Sequence, residues 1–255
     1  MLFLYNPADS LLLPREAAAE ESVIETVEKV IQSVVAIKAE GAMVAASGGF
    51  AFKNKGRIFI GKKARAVKFS RVGAGVIINS GGFLVANAHT VKDASRINVT
   101  LYDNSTYKAK VVWMAEDDDV AFISISRGAS LPFIRFCDVV EIKLGTAAYA
   151  VLPSGILKGR IAQGKVTGIG KRADAKDSKK PLTDLLRINI SMHKGNSGVP
   201  FVDKKGRLLG ILTAGETKRP YQSYAIPSER IAKYYRDYLK SSVDSGNEKK
   251  DKTYF

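Results

Sequence analysis

The run Val72-Gly73-Ala74-Gly75-Val76-Ile77-Ile78-Asn79, the triplet Ser80-Gly81-Gly82, and the run Phe83-Leu84-Val85-Ala86-Asn87-Ala88 together decide the fold class. Two short apolar runs rich in β-branched residues flank a turn that favours reversal of the chain, which is the signature of a hairpin. Downstream, RINVTLY (96–102) and TYKAKVVWM (106–114) flank Asp103-Asn104-Ser105 in the same way. The period of two puts Ile97, Val99 and Leu101 on one face, and Tyr107, Ala109, Val111 and Trp113 on another. DVAFISIS (119–126) follows, then a less regular stretch from Arg127 to Val140 that reads as a link between two halves. The second half repeats the style in GTAAYAVL, GRIAQGKVTGI, LLRINI, VPFV, GRLLGILTA and QSYAIP, with turns such as Asp203-Lys204-Lys205-Gly206 between them. Many short strands without long intervening helices predict an all-β sandwich or barrel, and each half could close a barrel of its own. Helical periodicity is confined to the flanks. Residues 15–33 space Val23, Ile24, Val27, Val30 and Ile31 as an amphipathic helix, and a strand SVVAIKA follows. After Pro227, Ser228 is a candidate cap for a closing helix with Ile231, Tyr234, Tyr235 and Leu239 on one face.

Composition narrows the function classes. The 255 residues are 45% hydrophobic and 25% charged, the proportions of an ordinary globular protein. One cysteine, Cys137, excludes an intramolecular disulfide framework, and with two histidines it excludes a Cys/His structural zinc site. Cys137, in the apolar setting IRFCD, reads as a small core residue. No apolar run approaches the roughly 18 residues of a spanning helix. Leu2-Phe3-Leu4-Tyr5 and Leu11-Leu12-Leu13 are split by Asn6, Pro7 and Asp9 and lack a basic lead, so they read as a docking arm and not a secretion signal. Net charge is +15, concentrated in local basic loops. Lys53 to Arg71 holds eight Lys or Arg and no acid, and Lys158 to Lys180 holds eight against Asp174 and Asp177. The first forty residues run the other way, with seven acids, and the tail from Ser241 to Phe255 is neutral. Neither basic patch carries the interleaved aromatics of a single-strand groove or a recognisable DNA-reading motif, so nucleic acid is not expected, and an anionic membrane surface remains as a partner for the basic loops.

Three residues stand where chemistry would need them. Ser197 lies in Gly195-Asn196-Ser197-Gly198, a polar loop between strand-like runs whose glycines can expose a hydroxyl beside backbone N–H groups. His89 follows the strand LVANA, and an unperturbed imidazole has its pKa near neutrality, which suits a general base for Ser197. A carboxylate at the head of VAFISI could orient that imidazole, with Asp119 the candidate and Asp117 and Asp118 its adjacent competitors. The chain order His, Asp, Ser separates this arrangement from α/β-hydrolases (Ser, acid, His) and from subtilisins (Asp, His, Ser). An α/β-hydrolase elbow would also need Gly at position 199, which is Val199 here.

These motifs resemble the HtrA (Deg)-type branch of the trypsin-like serine proteases, over about Ser33 to Ile231. Gly75-Val76-Ile77-Ile78 with LVANAHTV is similar to the family's catalytic-histidine segment, and Asp119-Val120-Ala121-Phe122 to its Asp-Ile-Ala-Leu segment, which selects Asp119. GRIAQGKVTG (159–168), the Gly195–Gly198 loop and YAIPSERI match the family's further segments in order. The resemblance implies a pair of six-stranded β-barrels with N- and C-terminal helices and a site in the cleft between them. It implies Ser197 as nucleophile, His89 as base and then acid, Asp119 as orienter, and the N–H groups of Gly195 and Ser197 as oxyanion hole, with neither metal nor cofactor. Thr213, Ala214 and Gly215 resemble the strand that pairs with substrate, and Ile190, Ser191 and Met192 precede the nucleophile loop as candidates for the specificity pocket. No acid stands among them, so cleavage after small or medium apolar residues is expected. Asn196 stands where digestive trypsins have Asp, which removes their zymogen switch and leaves loop ordering, in 158–180 and 183–194, as the control.

The expected organisation is an N-terminal arm and helix start over 1–22 and a protease domain over 23–240, followed by a polar tail over 241–255. Within the domain, barrel one runs to about 127, a linker spans 128–140, barrel two spans 141–227 and the closing helix 228–240. No PDZ domain is expected after it. The expected function is a serine endopeptidase in protein quality control, acting on unfolded or peptide substrates, with a homotrimer formed through the N-terminal arm. The alternative is a catalytically inactive protease-fold binding module, suggested by Val199, which would add bulk near the cleft, and by His193-Lys194 before the loop. His193 itself reads as a solvated loop residue and not a metal ligand. The resemblance favours an envelope or periplasmic location.

Overall fold

The computed structural model describes residues 25–54, 57–128, 130–153, 161–173, 180–191, 195–215 and 221–244, with backbone alone for the strand residues among 44–65. The N-terminal arm, Met192, His193, Lys194 and the end of the tail lie outside the described residues. Helix α1 (25–30) and a short 3-10 turn (Ile31–Ser33) lead into barrel one. Its strands are β1 (Val34–Asn54), β2 (Arg57–Ile77), β3 (Phe83–Ala86), β4 (Ala94–Thr100), β5 (Thr106–Ala115) and β6 (Val120–Ile125), with the four-residue helix α2 (Ala88–Val91) between β3 and β4. Barrel two is built from β7 (Ala147–Val151), β8 (Ile161–Ala173), β9 (Leu182–Ile188), β10 (Pro200–Val202), β11 (Leu208–Gly215) and β12 (Ser223–Pro227), and α3 (Ser228–Asp244) closes the chain. Both sheets are closed and antiparallel, ordered β1-β2-β3-β6-β5-β4 and β10-β11-β12-β9-β8-β7. The all-β class expected from the strand pattern, and the pair of six-stranded barrels implied by the family resemblance, are the fold observed.

Three hydrophobic clusters follow from the period of two. Ile37, Val99, Ala121 and Ile123 fill barrel one, while Val166, Ile188, Phe201 and Leu209 fill barrel two. A third cluster joins the outer faces of both barrels to the helices, through Val76, Phe122, Leu185, Ile211, Ile231 and Tyr235. Strand β6 therefore reads as almost continuously apolar because both of its faces are covered, Ala121 and Ile123 inward and Val120 and Phe122 outward. The linker is fastened to both barrels: Ile134 N–H donates to Ile77 O (2.9 Å) and Cys137 N–H to Leu208 O (2.9 Å). Cys137 is buried, as its setting implied, and burial pushes its thiol up to about 11.

Ile97, Val99 and Leu101 share the interior face as expected. On β5 the expected face breaks. A register shift between Val111 and Trp113 marks a bulge, so Tyr107 and Ala109 pack into the barrel while Val111 is exposed and Trp113 turns outward against Phe122. The stretch from Lys53 to Arg71, read as a basic loop, is strand from Arg57 onward. Its backbone pairs with β1 over the whole length of both strands, whereas β1 meets β4 only between Ala36 and Gly41. Apolar alternation does not mark this segment, and only the backbone pairing with β1 identifies it as strand. The closing helix continues to Asp244, with Ile231 and Tyr235 buried and Tyr234 and Leu239 packed beside them. Ser228 opens it fully buried, its hydroxyl donating to Cys137 O at 3.4 Å.

Candidate active site

Antiparallel pairing of β3 with β6 sets Ala86 opposite Ala121, which brings the residues after β3 against those before β6. Ala88 N–H donates to Asp119 O (3.2 Å), and the turn closes with Asp119 N–H on Glu116 O (3.1 Å). Asp119 adopts φ +56°, a left-handed conformation that aspartate tolerates better than bulkier residues do. Its carboxylate is 6% exposed and heavily solvated by protein donors. His89 N–H reaches Oδ1 (2.9 Å), Asn87 Nδ2 reaches Oδ2 (2.9 Å), and Thr213 Oγ1 donates to Oδ2 from barrel two (2.6 Å). His89 Nδ1 lies 2.9 Å from both oxygens, so the carboxylate holds the tautomer protonated at Nδ1 and leaves Nε2 as acceptor. Ser197 Oγ is 3.0 Å from that Nε2. Asp117 is exposed and Asp118 is engaged by Arg230 and Tyr234, so neither competes for the imidazole.

The serine loop is stapled from two sides. Ala74 N–H on β2 donates to Ser197 O (2.7 Å) and Gly198 N–H donates to Leu212 O (2.8 Å). Gly195 and Gly198 have φ of +93° and +83°, and a Cβ on Gly198 would collide with the Ala74 carbonyl oxygen. Glycine is required there by both conformation and space. Among the described residues, the N–H groups of Gly195 and Ser197 have no carbonyl partner, which suits donors reserved for an anion. Val199 does not enlarge the rim of the cleft: it is 1% exposed and packs inside barrel two with Ala74 and Phe201. Its side chain follows the inward alternation into β10, which corrects the expectation of added bulk near the site.

The remaining expected site residues separate. Ile190 is buried in barrel two, packed over Gly164, where a Cβ would lie 2.6 Å from its Cγ1; its side chain belongs to the core and not to an open pocket. Ser191 is partly buried beside it, and Met192 lies outside the described residues. Thr213 turns its hydroxyl to Asp119, while Ala214 is partly buried and Gly215 exposed at the end of β11. On the β10 side β11 is ladder-paired to Ile211 and hydrogen-bonded through Leu212 to Gly198 and Val199; among the described residues Ala214 and Gly215 have no strand partner on that side. Asn87 is a positioning residue that motif reading missed, and Thr213, expected only on the substrate-pairing strand, turns out to hold Asp119 as well; both are buried polar side chains, which is a signal for an internal hydrogen-bond partner. Among the described residues no group of His, Cys, Asp or Glu could hold a metal.

The profile of the trypsin-like peptidase domain matches residues 73–211, which hold His89, Asp119 and Ser197. The chain belongs to the trypsin-like peptidase family. This peptidase domain is 29% identical over 215 residues to a "Probable periplasmic serine protease do/HhoA-like" of Haemophilus influenzae, covering 79% of this chain and 46% of that protein. It is 29% identical to "Periplasmic pH-dependent serine endoprotease DegQ" of Escherichia coli (76% of this chain, 42% of that protein). With "Serine protease HTRA1" of Xenopus laevis it shares 28% (70% and 38%). The HtrA-type resemblance drawn from the motifs agrees with these names. The peptidase chain spans about half, or less, of the length of the curated relatives it matches. Among its described residues no helix is long and apolar enough to cross a membrane.

Proposed function

We propose that this chain is a serine endopeptidase that hydrolyses peptide bonds with Ser197 as nucleophile, His89 as general base and then acid, and Asp119 as its orienter. The reading is carried by one observation, the continuous hydrogen-bonded chain from Asp119 through His89 to Ser197, at 2.9 and 3.0 Å. The hydroxyl is a weak nucleophile until Nε2 accepts its proton as Oγ attacks the scissile carbonyl carbon. The carbonyl electrons move onto oxygen, where the N–H groups of Gly195 and Ser197 can donate to them. Collapse of the intermediate expels the amine, which takes its proton from His89, and water repeats the sequence on the acyl-enzyme. Asp119 accepts from the Nδ1–H of His89 and stabilises the imidazolium formed in both halves.

The open edge at Ala214 and Gly215 supports a substrate that adds as an extended strand. An unfolded chain or a peptide offers such a strand most readily, and unfolded proteins and peptides are the substrate class we propose, in a quality-control role. The word "periplasmic" in the names of several relatives supports an envelope location. The test is labelling with a fluorophosphonate probe and peptide mass spectrometry. Adduct on Ser197, absent in Ser197→Ala, is expected; a folded wild type that never labels would overturn the reading in favour of a non-catalytic binding module.

A further inference from the structure

We propose that Arg230, on the closing helix, is a positioning residue that fixes the turn carrying Asp119 against barrel two; the inference rests on the triad assigned above. The two halves of that triad belong to different barrels, with His89 and Asp119 on one and Ser197 on the other. The distance between Nε2 and Oγ therefore depends on how the barrels are held together beside the site. Arg230 is placed at that seam and is only 15% exposed. Its Nη1 donates to Asp118 Oδ1 (3.1 Å), the residue covalently joined to Asp119. Its Nη2 donates to Thr183 O (2.9 Å) and Asp184 O (3.5 Å) at the start of β9, with Asp184 Oδ2 at 3.7 Å. One planar guanidinium thus spans acceptors from both barrels, a geometry that the point charge of a lysine does not reproduce.

Tyr234, one turn along the helix, donates its hydroxyl to Asp118 Oδ2 and rests on Trp113 with ring centroids 4.8 Å apart. Asp118 is therefore gripped on both oxygens by one helix face. Asp119 follows with a left-handed φ of +56°, so a rotation of the Asp118 peptide is passed directly to the carboxylate that orients His89. The same guanidinium reaches the strand that follows residues 174–181, so a displacement of Thr183 or Asp184 reaches Asp119 through two hydrogen bonds and one peptide. A control of similar chemistry exists in the molecule. Arg207 also bridges two acids, Glu141 and Asp203, but both lie on the barrel-two side, and among the described residues it touches none of the site residues.

The experiment compares wild type, Arg230→Ala, Asp118→Asn and Arg207→Ala. With only two histidines in the chain, ¹⁵N-histidine labelling isolates the His89 Nδ1–H resonance, which reports its hydrogen bond to Asp119 whether or not the protein turns over substrate. Steady-state cleavage of fluorescein-labelled casein and urea unfolding are measured on the same samples. In Arg230→Ala and Asp118→Asn the downfield Nδ1–H resonance is expected to broaden or move, with kcat lower by about tenfold and KM within twofold of wild type. Arg207→Ala should lower the unfolding midpoint while leaving the resonance and kcat in place. An unchanged His89 resonance in both seam variants overturns the inference, as does an equal loss in Arg207→Ala, which would mark a general effect of stability. Absence of turnover in the wild type would instead reject the enzymatic reading, with the resonance still deciding the role of Arg230. Should Arg230→Ala fail to fold, Asp118→Asn decides alone, since it preserves size and the acceptor for Tyr234 while removing the charge.

Discussion

Replacing Thr213 by Val isolates the hydrogen bond that crosses from barrel two to the triad carboxylate. Valine keeps the shape and β-branching of threonine, so the strand and the bulge at position 213 are retained. What is lost is one donor at 2.6 Å to a carboxylate only 6% exposed. Asp119 Oδ2 keeps Asn87 Nδ2 and shares His89 Nδ1, and the methyl that replaces the hydroxyl leaves no room for a water. A hydrogen bond to a charged group is worth about 1.5–3 kcal/mol when its loss is not compensated. With a urea slope of about 3 kcal/mol/M, the unfolding midpoint should fall by roughly 0.5–1 M. The freed carboxylate should also hold the imidazole less firmly, so kcat on a casein substrate drops while KM stays, since Thr213 offers its side chain to Asp119 and not to substrate. Thr213→Ser, which keeps the hydroxyl, should recover most of both losses. A Thr213→Val protein with wild-type midpoint and wild-type kcat, or a Ser variant as impaired as the Val variant, would refute the reasoning.

Gly198→Ala should abolish fluorophosphonate labelling even if the barrels fold, because the Cβ meets the Ala74 carbonyl and the φ of +83° is strained for alanine. Val199→Ala should cost about 2–3 kcal/mol of stability, two buried methyls plus a cavity, read by urea unfolding, without raising kcat. Tyr234, raised to about 12 by burial and then by its hydrogen bond to Asp118, favours the neutral phenol in the folded state. Its contribution is fully present below pH 10, where the unfolded tyrosine is neutral too, and is lost between about 10 and 12; Tyr234→Phe should lack that part of the alkaline loss in a pH series of melting curves. Cys137, pushed up to about 11 chiefly by burial, should resist a thiol reagent at pH 8 in the folded protein and react at once in urea.

The strands of both barrels were legible because each has a packed face: Ile97, Val99 and Leu101 alternate because one side of β4 meets the barrel interior. The same rule explains what was not legible. Among the described residues the outer part of the β1–β2 ribbon has backbone pairing only between its own two strands, and its charged sequence, without a regular apolar alternation, reads as a loop. The bulge between Val111 and Trp113 inserts one residue without a compositional mark, which is why a single face was expected where two occur. At the site, the order of His89, Asp119 and Ser197 was visible in the sequence, but the choice of Asp119 over its neighbours came from resemblance. The structure supplies the physical ground, since Asp118 is occupied by Arg230 and Tyr234. Asn87, Thr213 and the inward turn of Val199 depend on pairings distant in sequence, Ala86 with Ala121 and Leu212 with Ala225, that no local pattern encodes.

Those distant pairings also explain why the site lies between the barrels. A nucleophile and base on one strand could be held by a single hairpin, but here Ser197 and His89 approach only if both barrels close and dock. Docking relies on the shared cluster around Phe122, Ile211 and Tyr235, which is non-directional and tolerates small slips of one barrel against the other. Directional contacts at the seam remove that freedom: Ala74 N–H on Ser197 O, Thr213 on Asp119, and Arg230 on Asp118 and Thr183. Apolar burial therefore supplies most of the stability, while a few hydrogen bonds of modest net worth fix the 3.0 Å separation on which proton transfer depends. Substitutions in the cluster should then lower stability and activity together, whereas substitutions among the seam hydrogen bonds should lower activity by more than their cost in stability accounts for.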